Sequence, residues 1–157
     1  MVRRDFYDDP DAPQPNRIVP AATAVIQDDQ GRVLLIHRTD NDRWALPGGT
    51  MDLGESIRTT IVREVQEETG ITVEVLGLIG VYSDPRHFIA YDDGEIRQEF
   101  AICVRARPTS GSLRTSIESS EVAWIHTSGL RNLNLHPSTR LRLHHALDPA
   151  RRQPYIG

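Results

Sequence analysis

The sequence predicts an α/β fold, a sandwich in which helices cover both faces of a mixed, partly antiparallel β-sheet. Only two segments of the 157 residues are convincingly helical, residues 56–69 and 137–147, and strand-like segments surround both. In the strand-like segment from residue 95 or 96 to residue 106, Phe100, Ile102 and Val104 alternate with smaller or polar residues. This alternation is typical of a strand with one buried face.

Composition indicates one globular domain with a sizeable core. The formal net charge of −4 gives no general attraction to long nucleic acids or to membranes. The single cysteine, Cys103, lies in a strand-like run, which disfavours a disulfide scaffold and favours a reducing, cytoplasmic location. No apolar run approaches the length of a membrane span, and the first residues lack the apolar core of a signal peptide.

The chain divides into three parts. Residues 1–16 form an arm rich in Asp and Pro, residues 17–148 the folded domain, and residues 149–157 a short tail. Ordering such an arm costs about 1–2 kcal/mol per residue, so we expect Phe6 and Tyr7 to anchor it on the domain or on a second subunit. Symmetric dimers are the commonest assemblies, and we therefore predict a homodimer whose interface the arm braces.

The remaining elements follow from local patterns. Residues 17–27 and 32–38 read as two strands joined by a turn, which predicts a β-hairpin. Further strands are predicted at 72–81, 88–91 and 122–125, with a polar loop at 108–120. The second helix has Pro137 in its first turn, and its leucines are expected to pack: Leu141, Leu143 and Leu147.

The first helix carries acidic residues on the side that should face the domain. At about 100° per residue, Ile57, Ile61 and Val65 fall within one arc of the helical wheel, and Glu64 and Glu68 project on the same arc. Carboxylates that point towards a protein interior are costly unless they are paired or bound to a metal. A bound cation therefore explains this pattern better than a solvated acidic face.

The stretch around this helix resembles the complete Nudix box of the MutT-like hydrolases. Its fixed positions follow in order: Gly49, five residues, Glu55, seven residues, and then Arg63-Glu64-Val65-Gln66-Glu67-Glu68-Thr69-Gly70-Ile71. The preceding residues 44–49 also resemble the usual lead-in. The resemblance implies the same α/β/α sandwich, with the box as a loop–helix–loop at one end of the sheet. It further implies hydrolysis of a nucleoside diphosphate linked to another group.

Pyrophosphate hydrolysis requires a protein to neutralise phosphate charge and to orient a water molecule. Mg²⁺ suits this chemistry and prefers oxygen ligands, with Mn²⁺ as a possible substitute. Glycines allow the chain to approach metal and phosphate closely. The predicted metal ligands are Gly48 or Gly49 through a backbone carbonyl, and Glu64, Glu67 and Glu68, of which Glu67 acts through water.

Two residues of the box are read as structural. Arg63 is expected to face away from the metal ligands, and the resemblance implies that it pairs with Glu55 and pins the loop to the helix. The general base is sought outside the box. We favour Glu118 over Glu121 and Glu99, with an ordinary loop acid as the alternative.

Substrate contacts are less constrained by the pattern. Arg86 and His87 follow a strand end, and we interpret them either as substrate-binding residues or as a polar turn. His37 and Arg38 are surface residues or contact a phosphate. Substrates of the ADP-ribose, nucleotide-sugar and nucleoside triphosphate classes all remain open, as does a Nudix-fold nucleotide-binding or regulatory module without catalysis.

Overall fold

The computed structural model describes residues 2–157. Its elements are β1 (Arg3–Tyr7), β2 (Arg17–Ile18), β3 (Ala21–Ile26), β4 (Val33–Arg38), β5 (Trp44–Ala45), β6 (Gly48–Thr50), α1 (Ile57–Thr69), β7 (Ile71–Tyr82), β8 (His87–Tyr91), β9 (Ile96–Gln98), β10 (Ala101–Gly111), β11 (Ser119–Ile125), a 3₁₀ helix (Thr127–Asn132), α2 (Pro137–Leu147) and β12 (Tyr155–Ile156). Within this range, no helix has the length and apolar character needed to span a bilayer.

The strands form three sheets. The central sheet has the order β12-β7-β10-β3-β6, in which β10 runs parallel to β3 and antiparallel to β7. A four-stranded sheet has the order β1-β8-β9-β2, and a three-stranded sheet has the order β11-β4-β5.

The two helices pack on opposite faces of the central sheet. Ile61 of α1 lies in an apolar cluster with Ala24 and Ile26 of β3, whereas Leu143 of α2 lies in a second cluster with Val25. Successive residues of a strand point to opposite faces, so the two clusters are separated by the sheet. The predicted α/β/α sandwich is confirmed.

Both predicted helices are also confirmed, and local chemistry fixes the ends of α1. Its N-cap Ser56 accepts a hydrogen bond from the Thr59 N–H at 3.1 Å. At the other end Gly70 adopts φ 78°, and its N–H donates to the carbonyl of Gln66 at 3.0 Å. A residue with a Cβ would be strained in this left-handed conformation.

The predicted hairpin of β3 and β4 is wrong. The two strands meet only at the Gln27–Val33 bridge and then enter different sheets. Both strands are buried on both faces, with Val33 and Leu35 in the α2 cluster and Leu34 in the α1 cluster. Strands covered on both faces belong inside a layered core, where β10 and β11 supply their partners.

The predicted long strand ending at residue 106 is two strands, β9 and β10, in different sheets. The chain leaves one sheet at Glu99, whose N–H donates to the His87 carbonyl at 2.9 Å. It enters the other after Phe100, whose carbonyl accepts from the Ala21 N–H at 3.0 Å. Strand β10 then continues to Gly111, so the predicted polar loop begins later than expected.

The N-terminal arm contains a strand. Strand β1 pairs antiparallel with β8 of the same chain, and Phe6 lies opposite Phe88. The backbone of the arm therefore finds partners on its own domain, and its order requires no second subunit. The homodimer stays a prediction.

Helix α2 packs differently from the predicted leucine pattern. Leu143 is buried and Leu147 packs against the same apolar cluster, as predicted, but Leu141 is 37% exposed. Arg142 and His145 are buried instead. Each has a specific partner, since Arg142 bonds to Glu99 at 2.7 Å and the His145 ring bonds to the Tyr82 hydroxyl at 2.8 Å. These polar contacts offset the cost of burying the two side chains.

Candidate active site

A cavity of about 560 Å³ lies where the three sheets and both helices meet. One wall consists of Gly48 and Gly49 with the acidic side of α1. The opposite end is lined by strand β1, by strands β8 and β9 and by the start of α2. The acidic helix face predicted from the sequence therefore opens onto a space large enough for a nucleotide-sized ligand.

Glu68 is held in this wall by the glycine turn. Its side chain is buried, and the Gly48 N–H donates to its Oε2 atom at 2.8 Å. Burial raises the pKa of the Glu68 carboxyl to about 8, and the neighbouring Glu64 carboxylate adds to this effect against the hydrogen bond from Gly48. A nearby cation would compensate the buried charge.

Glu64 lies directly against Gly49. A Cβ atom at Gly49 would lie only 2.5 Å from the Glu64 Oε1 atom, so this position of the carboxylate requires a glycine. Burial raises the pKa of Glu64, and the charges of Glu67 and Glu118 act in the same direction, while Arg63 opposes them. Two acids with raised pKa values thus face the same part of the cavity.

Arg63 and Glu55 form the pair that the resemblance implies. The Arg63 Nε atom donates to Glu55 Oε1 at 2.6 Å, and Nη2 donates to Glu55 Oε2 at 2.9 Å and to the Thr50 carbonyl at 3.2 Å. This two-pronged contact connects the loop to α1. It lowers the pKa of Glu55 to about 2.

The helical wheel predicts that Arg63 faces away from the other acids of the box, and this prediction is wrong. Its Nη1 atom donates to Glu64 Oε1 at 2.8 Å and to Glu67 Oε2 at 3.3 Å. The wheel describes the direction of the Cα–Cβ bond, whereas the long arginine side chain reaches back across the helix surface. Arg63 therefore also orients a predicted metal ligand.

Glu67 lies apart from the other predicted metal ligands. Its side chain is 59% exposed, contacts Arg63 and does not line the cavity. Within residues 2–157, no three His, Cys, Asp or Glu side chains converge as a ready-made metal site. The remaining oxygen donors are Glu64, Glu68 and the Gly48–Gly49 backbone. Mg²⁺ binds through one or two carboxylates and keeps several waters, so this donor set fits it.

The structure separates the three acids considered as general base. Glu118 lines the cavity, and its backbone is fixed by hydrogen bonds from Thr39 to its carbonyl at 3.1 and 3.2 Å. Glu121 lies in β11 opposite His37, outside the cavity lining. Glu99 lines the cavity but is held by Arg142.

Two neighbouring pairs of residues are divided in the same way. Arg38 lines the cavity and is held by Asp40, whose hydrogen bond raises the arginine pKa, whereas His37 bonds to Ser120 and lies outside the lining. His87 is buried and lines the cavity, but Arg86 is 63% exposed and pairs with Asp84. His37 and Arg38 are adjacent in β4 and point in opposite directions, so only Arg38 reaches the cavity. Arg86 lies in the turn before β8, and His87 is the first residue of that strand.

A family model described as the NUDIX domain matches residues 17–146. This protein belongs to the Nudix family. A MutT-like protein from Streptomyces ambofaciens is 42% identical over 111 residues, which cover 71% of this chain and 65% of the relative. An ADP-ribose pyrophosphatase from Methanocaldococcus jannaschii is 43% identical over 68 residues, 41% of this chain and 40% of the relative. The matches thus span less than two thirds of either relative.

The solved structures agree on the fold. The structure of a MutT Nudix hydrolase from Burkholderia pseudomallei has a TM-score of 0.65 and 29% identity, and the match covers 83% of this chain and 98% of that one.

Sequence reasoning did not find part of the cavity lining: Arg3, Asp5, Arg97, His136 and Arg142. The first two belong to the arm, which lies outside the residues matched to the Nudix domain. The others are brought to the cavity by pairing between strands and by the position of α2. A buried arginine indicates a polar site, but the sequence does not show that Arg142 is buried. Only the fold does.

Proposed function

We propose that this Nudix protein catalyses metal-dependent hydrolysis of the pyrophosphate linkage in a nucleoside diphosphate linked to another group. The observation that carries the proposal is a pair of carboxylates, the buried Glu68 and the partly buried Glu64, on the wall of a nucleotide-sized cavity. Two carboxylates side by side with little exposure to water are costly unless a cation compensates their charge. The matched relatives, one of them named an ADP-ribose pyrophosphatase, support the same reaction.

Each residue has a distinct role in this proposal. Glu64, Glu68 and a carbonyl of Gly48 or Gly49 would hold Mg²⁺, or Mn²⁺. Glu67, which lies outside the cavity lining, would contribute only through water. When bound there, the ion would supply positive charge next to the phosphate oxygens. Glu118 accepts the proton of the attacking water. Arg38, fixed by Asp40, faces the same space and offers charge to a phosphate group.

Three further features complete the proposal. We retain a nucleotide-type small molecule as substrate, of the ADP-ribose, nucleotide-sugar or nucleoside triphosphate class. We also retain a homodimer, to be measured by analytical ultracentrifugation. The buried, unpaired Cys103 is compatible with the predicted cytoplasmic location.

A substrate screen tests the function. Purified protein with Mg²⁺ or Mn²⁺ is expected to hydrolyse at least one of ADP-ribose, nucleotide sugars, nucleoside triphosphates and dinucleoside polyphosphates. EDTA should abolish the activity because the two carboxylates cannot stabilise phosphate charge by themselves. Release of nucleoside monophosphate or of pyrophosphate is measured by chromatography. Turnover that persists in EDTA, or none with any of these classes, contradicts the proposal.

Glu118→Gln is expected to lower kcat by about 100-fold or more with little change in KM, because the amide cannot accept the proton of water. Glu121→Gln is the matched control, since it removes a nearby acid that lies outside the cavity lining. Steady-state kinetics on the best substrate of the screen measure both variants. Equal losses in the two variants would show that Glu118 is not the base.

A further inference from the structure

One arginine that lines the cavity has no partner for its charge. The arginines of the lining are Arg3, Arg38, Arg43, Arg97 and Arg142. All except Arg43 form close ion pairs, in the same order with Asp5, Asp40, Glu95 and Glu99. Within residues 2–157, Arg43 takes part in no ion pair, and only its backbone atoms form hydrogen bonds.

The guanidinium of Arg43 is open to a ligand. The residue is partly buried, yet none of its nitrogen atoms is among the fully buried side-chain atoms that lack a partner in the described part of the chain. The unpaired Nε atoms of Arg3 and Arg142 are buried in this way. The N–H donors of Arg43 therefore keep accessible surface beside the cavity, and a guanidinium offers five of them.

The backbone on both sides of Arg43 is fixed by a single residue. Asn134 donates from Nδ2 to the Asp42 carbonyl at 3.0 Å, and its own carbonyl accepts from the Trp44 N–H at 2.9 Å. The base of the arginine side chain is thus held in place by the protein. A ligand that binds the guanidinium has less chain to order, which favours binding.

Arg43 lies opposite Arg38 across the β4–β5 hairpin. The two strands pair residue 37 with 44 and residue 36 with 45, and the Arg38 N–H donates to the Arg43 carbonyl at 2.8 Å. Side chains directly opposite each other lie on the same side of a ladder, where like charges are destabilising. Asp40 compensates Arg38 through two hydrogen bonds, at 2.9 and 2.7 Å. An anion beside Arg43 would compensate the second charge.

The two arginines lie between the acidic wall and the start of α2. A hydrogen-bonded carboxylate raises the pKa of Arg38, and the charges of Glu68 and Glu118 add to this effect. Burial lowers the pKa of His136, the N-cap of α2, to about 4, and the charge of Arg43 adds to this effect. Arg38 is thus on the side of the acidic wall, and Arg43 is on the side of α2.

We propose that Arg43 binds a phosphate group of the substrate on the α2 side of the acidic wall. A phosphate oxygen pair fits the planar guanidinium in a two-pronged contact, whereas a water molecule or a sugar hydroxyl leaves the charge opposite Arg38 uncompensated. The inference rests on the proposed function and adds a substrate-binding residue that lies outside the box.

Equilibrium binding tests this role without turnover. The probe is methylenediphosphonate, a diphosphate analogue that cannot be hydrolysed and carries no nucleoside, so its binding does not depend on the base. Isothermal calorimetry of the full chain with Mg²⁺ should show binding to the unmodified protein. Arg43→Gln should weaken binding about 10- to 100-fold, the range for a hydrogen bond between charged groups, and Arg43→Lys should retain part of the affinity.

Two controls separate binding from structure. Arg131→Gln removes an exposed arginine outside the cavity lining and should leave the affinity unchanged. Thermal unfolding should show no loss of stability in Arg43→Gln, because the guanidinium has no partner to lose and its repulsion by Arg38 is relieved.

The inference is overturned if the unmodified protein does not bind the analogue, if Arg43→Gln binds it equally well, or if that variant unfolds at a lower temperature. Hydrolysis is measured separately in the substrate screen. Binding that depends on Arg43 without any turnover contradicts the proposed function alone, whereas turnover with unchanged binding in Arg43→Gln contradicts this inference alone.

Discussion

Glu68→Gln and Glu64→Gln are each expected to lower kcat by about 100- to 1,000-fold, the range for loss of a main electrostatic contact in a transition state. Glutamine preserves the shape of each side chain, and at position 68 it can still accept from the Gly48 N–H. It removes the charge that a cation requires. Steady-state kinetics with saturating Mg²⁺ measure the effect.

Thermal unfolding distinguishes this effect from loss of structure. Burial raises the pKa of Glu68 to about 8, so at neutral pH a carboxyl that is ionised in the unfolded chain must take up a proton on folding, which costs folding stability. Glu68→Gln should therefore unfold at a temperature no lower than the unmodified protein. Near-normal turnover in both variants would show that the metal assignment is wrong.

Arg142→Ala is expected to reduce the free energy of unfolding by about 3 kcal/mol or more, because it leaves the Glu99 carboxylate, only 13% exposed, without its partner. For a chain of this size the melting temperature should fall by about 6–20 °C. Arg140→Ala, an exposed change in the same helix, should shift it much less. Differential scanning calorimetry provides both values.

A double variant checks the cause. Glu99→Leu with Arg142→Leu removes both charges, and it should recover most of the stability lost in Arg142→Ala because no uncompensated charge remains. If the double variant is as unstable as Arg142→Ala, packing against Tyr82 rather than the ion pair stabilises α2 here.

Features that depend on neighbouring residues were predictable from the sequence. Helix α1 covers nearly all of the predicted residues 56–69, because Ser56 and Gly70 fix its two ends within a few residues. The direction of Glu64 and Glu68 follows from helical geometry alone. The glycine turn lies against them as the resemblance implies.

Features that depend on residues distant in the chain were not predictable from the sequence. Nothing near residues 3–7 indicates that they pair with β8, so Asp5 was assigned to an arm rather than to the cavity. The burial of Arg142 depends on Glu99, which lies on another element. The sequence does not indicate which of Arg86 and His87 faces the cavity. Strand β8 begins at His87, and the start of this strand directs the His87 side chain inward.

The parallel pairing of β3 with β10 determines when the centre of the molecule can form during synthesis. It joins residues 21–26 to residues 101–106, so β3 has only the short strand β6 as a sheet neighbour until most of the chain has been made. During that interval α1 and β7 can associate, since they are adjacent in sequence. The apolar strands β3 and β4 meanwhile remain open to pairing with other chains, and we expect chaperones to matter most at this stage.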